Sequence, residues 1–166
     1  MPRLHALELV PDETGRDSVL RDWQALRDAG LPSQLDHKGM TNTPHVTLVA
    51  APALSDHALD QARDLLGALL PVRARTSGLL LLGGPRVTVA RALDVDDDVV
   101  HAVLRLRALV DGPQHDSWLP HISLGRRVPR AEVGRAIEVL GHRDVELSLT
   151  GLRRWDPDNG TVTPFP

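Results

Sequence analysis

The segments Pro44-His45-Val46-Thr47-Leu48 and Pro120-His121-Ile122-Ser123-Leu124 follow one pattern, Pro-His-apolar-hydroxyl-Leu, and lie in opposite halves of a chain of 166 residues. In a β-strand, successive side chains point to opposite faces, so the His and the hydroxyl of each segment share one face. The two apolar side chains share the other face and can enter a hydrophobic core. The pattern therefore predicts two strands that each present an imidazole beside a hydroxyl.

The repetition of the pattern makes it informative. The chain has eight His and many Ser and Thr, so a single His-x-Ser or His-x-Thr could arise by chance. A second copy, with Pro before it and apolar residues at the same two places, makes coincidence improbable. The alternative is a duplication whose histidines only satisfy a core, but a buried strand more often holds Val or Thr than His.

The repeated residue types suit acid/base chemistry at phosphorus. Two imidazoles can divide general base and general acid work, because imidazole titrates near neutral pH. Hydroxyl groups can donate hydrogen bonds to the oxygens of a phosphoryl group. We therefore expect His45 and His121 to be catalytic, and Thr47 and Ser123 to bind the substrate phosphate. Which histidine is the base stays open at this point.

Arginines crowd the segment that follows the second pattern. They are Arg126, Arg127, Arg130 and Arg135, and the only acid among them is Glu132. Strand alternation places Gly125 on the face of His121 and leaves Arg126 at the end of the strand, where the chain can change direction. We expect Arg126, rather than Arg127, to anchor the phosphate. The alternative is a solvated loop arginine.

Composition narrows the class of protein. The chain has 42% hydrophobic but only 2% aromatic residues, so its core must be built mainly from Leu, Val and Ala. It has no cysteine, which excludes disulfides and thiolate sites. No apolar stretch reaches membrane-spanning length and no signal-peptide pattern is present, so we expect a cytoplasmic protein with no membrane partner. The net charge of −3 argues against a surface that is basic throughout.

Apolar periodicity predicts alternating strands and helices in two similar halves. Strands are expected at 4–10, 45–50, 72–82, 86–93, over the second pattern, at 145–152 and at 161–163. Helices are expected at 13–29, at 55–70 with Ser55 as N-cap, from an acid-rich start at 94–98 on to about 111, and at 129–140. The segment 31–44 is expected to be a loop or an irregular edge strand. We infer a single α+β domain over 1–166, with two pseudo-equivalent lobes, antiparallel sheets lining a central cleft and helices packed outside.

Other candidate sites are weaker. The chain has no Walker motif, no nucleophile elbow and no His-Glu-x-x-His spacing for zinc, so we expect no metal and no cofactor. His5 is expected on the surface of its strand, and His115 in a loop that could touch substrate. The other histidines are expected to be exposed: His37, His57, His101 and His142. Trp118 and Trp155 could stack on a base, but scarce large aromatic residues are more often core residues.

At these residues the chain resembles the two-histidine (2H) phosphoesterase superfamily, in the branch of 2′-5′ RNA ligases and RNA 2′,3′-cyclic phosphodiesterases. That family carries two His-x-Thr/Ser motifs in a bilobal fold, and an Arg often stands five places after the second His. The matching residues here are His45 with Thr47, His121 with Ser123, and Arg126. The stretch 3–9 also resembles the family's first strand, although an aromatic residue is common where His5 stands.

The resemblance implies a phosphodiesterase that opens 2′,3′-cyclic phosphates, with RNA ends or small cyclic nucleotides as partners. It also implies that the two histidines exchange roles between ring opening and the reverse, ligating direction. Such chemistry requires no metal, and we expect a monomer. Two alternatives stay open: a hydrolase of another small cyclic phosphate or of a 2′-5′ linked oligonucleotide, and a noncatalytic module that binds nucleotides or RNA.

Overall fold

The computed structural model describes residues 3–165, which form seven strands and four α-helices. The strands are β1 (His5–Pro11), β2 (Val46–Ala51), β3 (Val72–Gly83), β4 (Arg86–Val95), β5 (His121–Pro129), β6 (Glu146–Asp156) and β7 (Thr161–Pro164). The helices are α1 (Glu13–Asp28), α2 (Asp56–Gly67), α3 (Asp97–Arg107) and α4 (Val133–Leu140). The predicted order of elements is confirmed. The segment 31–44 is a loop with a short 3-10 turn at Gln34–Asp36, and a second such turn at Arg130–Glu132 leads into α4.

Local sequence explains where the helices begin. The side chain of Asp12 caps α1 by accepting a hydrogen bond from the N–H of Gly15 at 2.8 Å. Ser55 caps α2 as predicted, through the N–H of Ala58 at 3.1 Å. Each cap satisfies one of the backbone donors that the start of a helix leaves free.

The strands form one antiparallel sheet in the order β2-β1-β6-β3-β4-β5, with β7 beside β6. This order is symmetric, because exchanging β1, β2 and β3 for β4, β5 and β6 reverses it. The helices follow the same symmetry, since α1 contacts β5 and α3 contacts β2. The predicted α+β fold with two similar halves is therefore confirmed, and the strands of both halves belong to one continuous sheet.

The core lies between one face of the sheet and the helices. The apolar residues of the two repeated segments are buried there, each at most 1% exposed: Val46, Leu48, Ile122 and Leu124. Burying one such side chain contributes about 1.5–3 kcal/mol. No helix among residues 3–165 is long and apolar enough to cross a lipid bilayer.

The two repeated segments lie on the two edge strands of the sheet. In hydrogen-bonding order β2 and β5 are at opposite ends, yet they contact each other. The sheet therefore curls until its edges approach, as the twist of strands allows. This curl brings together two segments that are far apart in sequence.

A β-bulge interrupts β2 inside the first repeated segment. Glu8 of β1 pairs with Thr47, while the preceding Leu7 pairs with Val49, so Leu48 is the extra residue. A bulge shifts the alternation of side chains by one residue. Leu48 and Val49 are accordingly both fully buried, although they are neighbours in sequence.

The second repeated segment has a bulge at the same place. Val89 of β4 pairs with Gly125, and the next residue, Ala90, pairs with Ser123, so Leu124 is the extra residue. Leu124 and Gly125 are both buried. The two halves thus share a local irregularity as well as a pattern.

This bulge corrects the sequence-based placement of Arg126. Unbroken alternation predicts that Gly125 shares the face of His121 and that Arg126 stands at the end of the strand. In the structure β5 continues to Pro129, Gly125 is buried against the core, and Arg126 lines the same cleft as His121. Arg126 therefore lies in the cleft, but the structural reason given for expecting it there, a position at the end of the strand, is wrong.

Gly125→Ala is expected to destabilise the fold, because a Cβ at this position would lie 2.5 Å from the carbonyl oxygen of Pro32. The strand or the loop after α1 must move, and we expect a loss of about 1–3 kcal/mol in the free energy of unfolding. Gly134→Ala in α4 is the matched control, since nothing lies within 4 Å of its added Cβ and alanine favours a helix. Urea unfolding measures both variants, and an unchanged stability of Gly125→Ala would contradict the close approach.

Candidate functional site

The structure brings all five predicted site residues to one cleft. His45 and Thr47 reach it from the β2 side, and His121, Ser123 and Arg126 reach it from β5. The cleft has a main cavity of about 510 Å³, a volume typical of sites for small organic ligands. Its walls also include Gln34, Leu82, Arg107, His115, Trp118 and Leu119.

The two imidazoles are oriented in the same way. Nδ1 of His45 lies 2.8 Å from the carbonyl oxygen of Thr43, and Nδ1 of His121 lies 2.7 Å from that of Leu119. A carbonyl oxygen only accepts hydrogen bonds, so Nδ1 carries the proton when either ring is neutral. Nε2 is thus the unprotonated nitrogen of each neutral ring.

Two tryptophans donate hydrogen bonds to the backbone carbonyls of Thr47 and Ser123. Nε1 of Trp118 donates to the carbonyl oxygen of Thr47 at 2.9 Å, and Nε1 of Trp23 donates to that of Ser123 at 3.0 Å. Both carbonyls belong to the residue just before a bulge, where the regular ladder is disrupted. Trp118 also lines the cleft, so it is more than the core residue that its scarcity suggested.

A carboxylate distinguishes His45 from His121. Glu8 is 5% exposed, and its Oε1 lies 3.5 Å from Nε2 of His45. Its Oε2 accepts a hydrogen bond from Nε of Arg153 at 2.7 Å, and Nη1 of Arg153 donates to Oγ1 of Thr43 at 2.7 Å. Because the carbonyl of Thr43 also holds His45, these four residues form a closed ring around one imidazole.

The symmetry-related position beside His121 has no carboxylate. Glu8 pairs with Thr47 across β1 and β2, and Ala90 pairs with Ser123 across β4 and β5. Alanine offers no polar group at this place. The two-fold scaffold therefore presents two chemically unequal histidines.

The free edge of β2 is covered by the segment that precedes the second repeated segment. Nη1 of Arg107 donates to the carbonyl oxygen of Leu48 at 2.8 Å, and the N–H of Gln114 donates to that of Ala50 at 2.8 Å. Arg107 also donates to the carbonyl oxygen of His115. Burial lowers the pKa of Arg107, but a guanidinium stays charged in proteins. On this side of the cleft, the edge of β2 is therefore hydrogen-bonded to the neighbouring segment and carries the positive charge of Arg107.

A side cavity of about 220 Å³ adjoins the main cavity. His45, Gln34 and Arg126 line both, so two of the five predicted site residues, His45 and Arg126, lie where the cavities meet. Trp155 lines the side cavity and is only partly buried, which corrects the expectation of a core position.

The other histidines fall into two groups. His57, His101 and His142 are exposed as predicted and lie outside both cavities. His37 is exposed and lines the side cavity, and His115 is exposed and lines the main one. His115 therefore remains a residue that could contact substrate.

His5 departs from its predicted surface position, since it is only 9% exposed. Its Nε2 lies 3.2 Å from Oδ2 of Asp158, and its Nδ1 lies 3.8 Å from Oδ1 of Asp156. Ligand atoms of these three residues lie within 4.8 Å of one another, a grouping that sequence spacing did not reveal. However, Nη2 of Arg154 lies 3.5 Å from Nδ1 of His5, and a hydrogen bond from the Asn159 side chain lowers the pKa of Asp156. This cluster lies outside both cavities.

Sequence reasoning missed Glu8, Arg153 and Arg107. Glu8 could have been found from the sequence, because it stands between Leu7 and Leu9 in a predicted strand, so its side chain faces away from the core. No sequence pattern marks Arg153 or Arg107, because their contacts join distant parts of the chain.

Comparison with known proteins identifies a family. The model of the 2′-5′ RNA ligase superfamily matches residues 15–161. Among solved structures, TT0787 of Thermus thermophilus is 17% identical with a TM-score of 0.55, and the match covers 99% of this chain and 95% of that one. E. coli LigT complexed with 3′-AMP is 12% identical with a TM-score of 0.55, over 99% of this chain and 95% of that one. The MHV ns2 PDE domain is 16% identical with a TM-score of 0.51, over 99% of both chains. No curated protein matches the sequence. At these identities the solved structures show a shared fold.

We expect His45 and His121 to carry their proton on Nδ1 when the rings are neutral, because a carbonyl oxygen faces Nδ1 in each. Long-range ¹H–¹⁵N NMR at alkaline pH measures the tautomer, with the exposed His101 as the reference for an unconstrained ring. An Nε2-protonated ring at either position would contradict the orientation described here.

Proposed function

The chain belongs to the 2′-5′ RNA ligase superfamily, and from this premise we propose that it opens 2′,3′-cyclic phosphates at RNA ends by acid/base catalysis shared between His45 and His121. The family and the fold support a phosphoesterase-type enzyme. The observation that carries the proposal is that two imidazoles, two hydroxyls and a guanidinium line one cleft. These groups match the needs of phosphodiester hydrolysis, which are a base, an acid and donors for the phosphate oxygens.

Ring opening needs one group that accepts a proton from water and one that donates a proton to the leaving ribose oxygen. We assign the first role to Nε2 of His121 and the second to Nε2 of His45. Glu8 supports this assignment, because its carboxylate lies at ion-pair distance from Nε2 of His45, whereas alanine stands at the equivalent place beside His121. Water bonds to phosphorus as the bond to one ribose oxygen breaks, and a phosphomonoester results. His121 then releases its proton to solvent and His45 takes one up, so both imidazoles return to their starting states.

The remaining site residues stabilise the negative charge that develops on the phosphate oxygens. Thr47 and Ser123 donate hydrogen bonds to the nonbridging oxygens, and Arg126 contributes a positive charge. The indoles that hold both backbone carbonyls fix the hydroxyl-bearing residues before substrate arrives. Such preorganised donors cost no rearrangement during the reaction.

A nucleotide is the ligand class that the comparisons support. E. coli LigT is complexed with 3′-AMP in one structure and with NADP+ in another. In this chain the apolar wall of the main cavity consists of Leu82, Leu119 and the ring of Trp118. We assign the base of the terminal nucleotide to this mainly aliphatic wall.

The groups that line the cavities support a reaction without a metal ion. Glu8 is the only carboxylate among the described residues that line either cavity, and Arg153 already binds it. Hard divalent cations favour several oxygen ligands, carboxylates above all. Arg126 provides the positive charge that such an ion would otherwise supply.

His45→Ala and His121→Ala are each expected to lower kcat by about two to four orders of magnitude, and the double variant should be little worse than the poorer single one. Turnover of adenosine 2′,3′-cyclic phosphate in the presence of EDTA measures this loss. The wild-type protein should show a bell-shaped pH profile, because one imidazole must be neutral while the other is protonated. The control is His101→Ala, which alters an exposed histidine of α3 and should leave kcat unchanged.

A phosphodiester with a p-nitrophenolate leaving group separates the two roles, since this group departs without a proton. His45→Ala should recover most of its activity on that substrate, and His121→Ala should not. Full activity of either variant on the cyclic phosphate, additive losses in the double variant, or loss of activity in EDTA would contradict the mechanism.

A further inference from the structure

Acidic side chains are absent from two stretches of the chain that lead out of the main cavity. The stretch 77–93, which includes the tip of the β3–β4 hairpin, has no Asp or Glu, and neither has the stretch 117–131, which includes β5. Four exposed arginines lie on these two stretches: Arg86, Arg126, Arg127 and Arg130. We call these four residues the basic strip. A chain with a net charge of −3 thus carries one locally cationic surface.

The arginines of the basic strip differ from most others in their partners. Among residues 3–165, none of the four lies at ion-pair distance from a carboxylate. Most of the other arginines are paired with acids: Arg16, Arg27, Arg63, Arg73, Arg75, Arg91, Arg135, Arg143 and Arg153. The charges of the basic strip are therefore available to an external anion.

The basic strip continues from the catalytic residues to the end of the sheet. Arg126 lines the main cavity, and Thr88 lines it from the neighbouring strand. Arg86 pairs with Pro129 at the far end of these strands, and Nη2 of Arg130 donates to the carbonyl oxygen of Gly84 at 3.2 Å. The backbone from Arg126 to Arg130 covers roughly 10 Å, so the basic strip presents its charges along a line and not at one point.

We propose that the basic strip binds the phosphates of the single-stranded RNA that precedes the terminal cyclic phosphate. This inference rests on the proposed function, because it takes Arg126 as the point where the reacting phosphate sits. A cyclic mononucleotide has one phosphate, whereas the basic strip offers four guanidinium groups. A strand of RNA has a charge at every nucleotide, and unpaired arginines along its path bind it while releasing counterions. The substrate class is thus an RNA strand in preference to a free cyclic nucleotide.

The test compares two substrates of one reaction. One is adenosine 2′,3′-cyclic phosphate, and the other is a single-stranded RNA of about ten nucleotides with the same cyclic end, a length that single-strand sites cover. The variant Arg86→Gln with Arg130→Gln removes two charges outside the catalytic residues. The matched control is Arg21→Gln with Arg105→Gln, which removes two exposed arginines of α1 and α3 that have no acidic partner among residues 3–165. Both double variants change the net charge equally.

We expect the basic-strip variant to lower kcat/KM for the RNA about tenfold at low salt and to leave the mononucleotide unchanged. The slope of log affinity against log salt should become shallower by about 1.4, since each phosphate contact on a single strand contributes about 0.7. The control variant should change neither quantity. An equal loss in the control, an equal loss on both substrates, or no loss on RNA would overturn the proposal.

Binding of the same RNA with a 3′-phosphate end, measured by fluorescence anisotropy, separates this proposal from the proposed function. If neither substrate is turned over but RNA binding still weakens only in the basic-strip variant, the proposed function fails and the RNA surface stands. Displacement of bound RNA by polyglutamate as readily as by unlabelled RNA would overturn the surface, because an acidic protein would then fit it equally well.

Discussion

Each edge strand of the sheet contains one extra residue, Leu48 in β2 and Leu124 in β5, and a tryptophan indole binds the carbonyl just before it. The cleft depends on this arrangement. Alternation places the histidine and the hydroxyl of each segment on one face. The bulge that follows them turns two consecutive residues into the core. Regular strands would have placed Gly125, rather than Arg126, beside His121.

The two-fold scaffold accounts for the paired groups, and departures from its symmetry make the two histidines chemically unequal. Glu8 corresponds to Ala90, so only one imidazole has a carboxylate beside it. The residue that follows the bulged pair is Ala50 in one half and Arg126 in the other, and both line the main cavity. A duplicated site with identical halves would have no preferred direction for a proton. In the proposed mechanism, the differences at these two positions give the proton a preferred direction.

Apolar periodicity along the chain was sufficient to predict the order of elements and the α+β class, and alternation within the repeated segments predicted the grouping of His45, His121, Thr47 and Ser123. Both are local properties of the sequence. Arg126 reaches the same cleft because of the bulge, which alternation did not predict. The bulges, the single continuous sheet and the contacts of Glu8 with Arg153 were not predictable in this way. They depend on which strands pair, and on a register that shifts by one residue. His5 was misplaced for a related reason, since the turn after β6 that buries it lies at the other end of the chain.

The central claim is that one phosphorus atom sits between two imidazoles with opposite roles. A crystal structure with a nucleoside vanadate, which adopts the five-coordinate geometry of the transition state, tests it most directly. The account predicts Nε2 of His45 and Nε2 of His121 at opposite apical positions, each roughly 3 Å from an apical oxygen, with Thr47, Ser123 and Arg126 on the equatorial oxygens. Vanadate bound outside the cleft, or contacting only one of the two histidines, would contradict it.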